Sequence, residues 1–129
     1  MNSEKGQSEA GRPRDIAERT FEFAERVVAL CRAARSRDVA ARVIVGQLVR
    51  AGTSIGANVE EAQASHSRAD FANKCSIACK EARETRYWMR LLAASGIVST
   101  ASLTDLLAEC DELVAILTTI VKKAKQPAP

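Results

Sequence analysis

Phe71, Cys75, Ala78, Ala82, Thr85, Met89 and Leu92 follow one another at alternating intervals of four and three. That rhythm puts all seven on one seam of a long helix, the seam along which helices pack in a bundle. Three further stretches have a helical period. Ile16, Phe23, Val27, Leu30 and Ala34 mark the first, and Ile44, Leu48, Ala51, Ile55, Val59 and Ala62 the second. Leu103, Leu106, Leu107, Leu113, Ile116, Leu117, Ile120 and Val121 mark the last. The three prolines, Pro13, Pro127 and Pro129, lie at the ends and leave everything between open to helix.

The predicted helices span about 14–36, 39–65, 68–95 and 100–125. Ser67 and Ser99 are placed as N-caps, and Asp70 stands where a capping box needs an acidic partner. Gly96 suits the position after a helix end. Val98 and Leu103 are spaced for a hydrophobic staple. Such short breaks force neighbours to run antiparallel. The expected fold is all-α, an up-down-up-down four-helix bundle over residues 14–125. Residues 1–13 and 126–129 read as disordered ends.

Composition excludes several classes. No apolar run is long enough for a membrane span. The N-terminus, "MNSEKGQSEAGRPR", is polar and lacks the core of a secretory signal, so a cytoplasmic location is expected. The four cysteines, Cys31, Cys75, Cys79 and Cys110, then read as reduced and mostly packed as small hydrophobes. Net charge is +3, concentrated in residues 67–96, with six basic groups against three acidic. One basic face is the most that balance implies.

"RAGTSIGANVEEA", residues 50–62, is the one glycine-rich stretch inside a predicted helix. No strand precedes it and no lysine follows, so it is not a phosphate loop. Gly52 and Gly56 share a helix face, where each costs about 1 kcal/mol relative to alanine. A close helix contact is expected to offset that cost, and a subunit interface is one candidate. Ser54, Asn58 and Glu61 form a polar ladder beside the apolar stripe.

This stretch and a second, "IACKEARETRYWMRLL", carry a family resemblance. Gln47, Leu48, Arg50, Ala51, Ser54, Ile55, Ala57, Asn58, Val59 and Glu61 match one motif position by position. Lys80, Glu81, Ala82, Glu84, Thr85, Tyr87 and Trp88 match the other, with Met89 in place of leucine. The chain resembles the bacterial four-helix-bundle proteins encoded in intervening sequences of large-subunit ribosomal RNA genes. Ala62 departs from the pattern, since many relatives have glycine there. The resemblance implies a homo-oligomer, a pentameric ring, with no established enzymatic activity. It also implies a relation to the accessory protein of diversity-generating retroelements, a basic pentamer that binds a reverse transcriptase and nucleic acid.

The chemistry-bearing residues are weighed on that basis. Glu61, Glu81 and Glu84 lack the Glu-x-x-His partner of a di-metal bundle. They are expected to pair with Arg50 or other arginines, as a structural or assembly cluster with Gln47, Ser54 and Asn58. His66 lies about 18 Å along the helix from Ser54, too far for a catalytic pair. No catalytic, cofactor or metal residues are assigned. Lys80, Arg83, Tyr87 and Arg90 lie on one stripe bordered by Arg86. That pattern is either a solvated face with pairs such as Lys80 to Glu84, or a contact for RNA or DNA. Trp88 and Leu91 widen the apolar stripe and are candidate subunit contacts.

Overall fold

A computed structural model describes residues 15–34 and 38–127. Among these the chain forms four helices: α1 (Ile16–Ala33), α2 (Val39–Gln63), α3 (Arg68–Ala94) and α4 (Thr100–Lys125). They pack as an all-α bundle in which each helix lies against its sequence neighbour. Helix α1 also meets α4 along a short stretch. The expected disordered end at 1–13 lies outside the described residues, as do the last two residues of the other.

The helix ends follow local chemistry. Ser67 Oγ accepts from the Asp70 backbone N–H at 3.0 Å, and Ser99 Oγ from that of Ser102 at 3.2 Å. Asp38 caps α2 by accepting from Ala40 N–H at 3.0 Å. Helix α3 ends in a Schellman motif. Gly96 takes φ +72°, its N–H donates to Ala93 O at 3.1 Å, and the Ile97 N–H donates to Leu92 O at 3.0 Å. Helix α1 is shorter than its periodicity predicts, because Ala34 has already left helical geometry at φ −82°, ψ 80°. Helix α2 stops two residues before Ser65.

The core is the predicted seam. Cys75, Ala78, Ala82, Thr85, Met89 and Leu92 are all buried, while Phe71 sits at the margin. Leu48, Ile55 and Val59 of α2, Phe23 and Val27 of α1, and Leu103, Leu113 and Leu117 of α4 complete it. Two threonines are buried with these apolar groups. Thr20 Oγ1 donates to Ile16 O at 2.9 Å and Thr85 Oγ1 to Glu81 O at 2.7 Å, so each satisfies its own helix.

The glycines bring α1 and α2 together. A Cβ on Gly52 would stand 2.9 Å from Val27 Cγ1, and one on Gly56 would stand 3.3 Å from the Thr20 backbone carbonyl. Gly52 and Gly56 were expected as candidate subunit contacts. Within the chain, the close approach they allow is made by α1.

Candidate functional site

The polar residues of α2 and α3 meet where the two helices run side by side. Gln47 and Arg50 lie one turn apart on α2, and Glu81, Glu84 and Trp88 lie at spacings of three and four on α3, so both sets face one seam. Arg50 is its hub. Its Nε donates to Gln47 Oε1 at 2.9 Å and its Nη1 to Glu81 Oε1 at 3.3 Å. Its Nη2 pairs with Glu84 Oε2. The same Glu84 oxygen accepts from the Trp88 indole N–H at 3.0 Å. The expected pairing of Arg50 with Glu81 and Glu84 is present.

The polar ladder divides. Ser54 Oγ donates to Arg50 O at 2.7 Å, and Asn58 Nδ2 to Ser54 O at 2.9 Å. Both therefore bond along their own helix and do not cross to α3. The Glu61 side chain stands exposed beyond them. Arg50 is itself 46% exposed. Pairs at that level of exposure contribute about 1 kcal/mol or less.

Helix α3 presents Lys80, Arg83, Tyr87 and Arg90 outward on one stripe, all exposed. Arg86 leaves it, donating to Asp111 Oδ1 of α4 at 3.0 Å. Tyr87 is 54% exposed and meets Trp88 edge to face, with ring centroids 5.0 Å apart. Trp88 is half-buried and packs against the core of its own bundle, with Leu91 half-buried beside it. Arg83 also borders a small groove of about 280 Å³ with Lys122 and Lys125 of α4. Sequence reasoning missed those two lysines because nothing in the α3 pattern points to a distant helix.

It also missed a second surface. Phe21, Ala24, Val28 and Ala29 of α1 face Thr53, Gly56 and Ala57 of α2 across an open groove of about 570 Å³. Phe21 is 57% exposed and Val28 36%. Glu25, Glu60 and Arg32 also line it. A signal was available: Phe21, Ala24 and Val28 recur at helical spacing, a second apolar stripe beside the one that fills the core.

The cysteines are free thiols packed in the bundle. Burial pushes the Cys110 thiol up to about 12 and that of Cys31 up to about 11. Cys110 donates to Ala82 O at 3.2 Å. Among the described residues, no three of His, Cys, Asp and Glu gather as metal ligands. No helix among them is long and apolar enough to cross a membrane.

Comparison with known proteins places this geometry. The model of the 23S rRNA-intervening sequence protein family matches residues 13–119. The chain belongs to that family. A crystal structure of a protein of unknown function from the S23 ribosomal protein family, from Bacteroides thetaiotaomicron, is 36% identical. The match covers 84% of this chain and 99% of that one, with a TM-score of 0.77. No curated protein matches the chain. Both motifs read from the sequence fall inside the matched span. In this member of the 23S rRNA-intervening sequence family they supply the Arg50 hub on α2 and its carboxylates on α3.

Proposed function

We propose that this family member is a non-enzymatic scaffold that works as a homo-oligomer, with a pentameric ring as the expected assembly. The carrying observation is the α1–α2 groove, which leaves Phe21 and Val28 exposed together on a small domain. Apolar groups gathered that way mark an interaction surface. The polar groups of the α2–α3 seam, Arg50, Gln47, Glu81, Glu84 and Trp88, are engaged with one another and fit a structural role in that scaffold. Light scattering tests the assembly. A mass several times that of one chain at micromolar concentration is expected, and a monomer overturns the proposal.

A second reading is contact with RNA or DNA, with a reverse transcriptase as one protein partner suited to such a role. It rests on the exposed stripe of Lys80, Arg83, Tyr87 and Arg90. Cations would neutralise phosphates while the tyrosine stacks a base. Under this reading, log affinity falls linearly with log salt, and Arg83→Glu weakens binding. Binding that is independent of salt, or unchanged by that substitution, rejects it.

A further inference from the structure

We infer that the α1–α2 groove receives the α3 stripe of a second copy of this chain, Tyr87 entering the groove and its flanking cations meeting Glu25 and Glu60. The inference rests on the self-association reading and names the two surfaces that carry it.

Three observations support the pairing. First, the groove needs an apolar insert, because Phe21 and Val28 line it and remain exposed. The stripe supplies one in Tyr87, itself 54% exposed. Tyrosine and arginine are the side chains that most often anchor protein interfaces. Second, the charges are complementary. Two carboxylates, Glu25 and Glu60, line the groove against one cation, Arg32, while Lys80, Arg83 and Arg90 surround Tyr87 at helical spacing. Third, one chain cannot satisfy itself. Among the described residues α1 touches α2 and α4 but not α3, so groove and stripe lie on different sides of the same bundle. Two different patches that meet in this way form a head-to-tail contact, which generates a ring when the rotation closes.

The test is a charge exchange followed by mixing. One variant carries Glu25→Lys and Glu60→Lys, the other Lys80→Glu and Arg83→Glu. All four positions are exposed, and circular dichroism checks that both variants keep their helices. At low salt each variant alone is expected to associate at least about tenfold more weakly than the parent. Mixed in equal amounts, they associate more tightly than either does alone, because the reversed groove of one matches the reversed stripe of the other and the remaining surfaces still match. Phe21→Ser weakens association whatever the salt.

A parent protein that is monomeric overturns the scaffold reading and this inference with it. A parent oligomer whose mass none of these variants changes overturns the interface alone. Weakened single variants that fail to recombine reject the pairing of these two surfaces. If stripe reversal abolishes retention of single-stranded RNA while leaving the mass unchanged, the stripe serves nucleic acid and the inference falls.

Discussion

The Arg19 guanidinium grips the Glu109 carboxylate at two points, Nε to Oε2 at 3.0 Å and Nη2 to Oε1 at 2.6 Å. The same Nη2 reaches Glu112 Oε1 at 3.0 Å. Arg19 and Glu109 are 14% and 15% exposed, so this pair is far better shielded than the Arg50 cluster. It fastens α1 to α4, two helices that otherwise meet only briefly. The bond to Glu109 holds the Arg19 guanidinium still more firmly in its charged form.

Removing one partner is expected to cost about 1–3 kcal/mol, because the other is left poorly solvated. Arg19→Met with Glu109→Leu should cost less than either single change. Urea unfolding of the three variants gives the comparison; a double variant weaker than both singles would contradict it.

Three glycines of α2 should respond differently to alanine. Gly46 has nothing within 4 Å of a new Cβ, so Gly46→Ala is expected to stabilise by roughly 1 kcal/mol. At Gly52 the new methyl meets the buried Val27 side chain, and at Gly56 it meets Thr20 backbone, which yields less readily. Overpacking of this kind costs about 1–3 kcal/mol and outweighs the gain in propensity. Both variants should melt lower than the parent. Val27→Ala should make Gly52→Ala less harmful than it is alone, read as coupling in a double-mutant cycle.

The Cys110 thiol predicts an alkaline limit. Its pKa in the folded chain is about 12 against an ordinary 9.0. Above pH 9 the unfolded chain loses this proton while the folded chain keeps it, so stability falls as pH rises. The contribution is fully present below pH 9 and is lost progressively up to about pH 12, by at most about 1.4 kcal/mol per pH unit. Melting curves from pH 8 to 11 should fall less steeply for Cys110→Ala than for the parent. Equal slopes would count against the assignment.

Trp88 is the one tryptophan in the chain, and its indole bonds to the carboxylate that Arg50 holds. Glu84→Gln should therefore change Trp88 emission while lowering stability by only about 1 kcal/mol or less, as expected for an exposed pair. An unchanged spectrum would mean that the indole has another environment in solution.

The rhythm of α3 made its buried face legible, because a 4-3-4-3 spacing fixes which side of a helix turns inward whatever it packs against. Ser67, Ser99 and Gly96 made the helix ends legible for the same local reason. What periodicity cannot specify is the neighbour. Gly52 and Gly56 announced a close approach but not that α1 makes it. Arg19 and Glu109, ninety residues apart, carry no mark that links them. The polar ladder was drawn from shared facing alone, whereas Ser54 and Asn58 had a nearer acceptor in their own backbone. Phe21 and Val28 were passed over because α1 already had a stripe sufficient to fill the core.

Among the described residues each helix packs mainly on the one before or after it, and the first meets the last only along a short stretch. Most native contacts thus span a single short connection, a topology of low contact order that folds quickly. The α1 end should be the last part to lock and the first to open. Amide hydrogens of α1 are expected to exchange ahead of those in α3, whose two flanks are both covered.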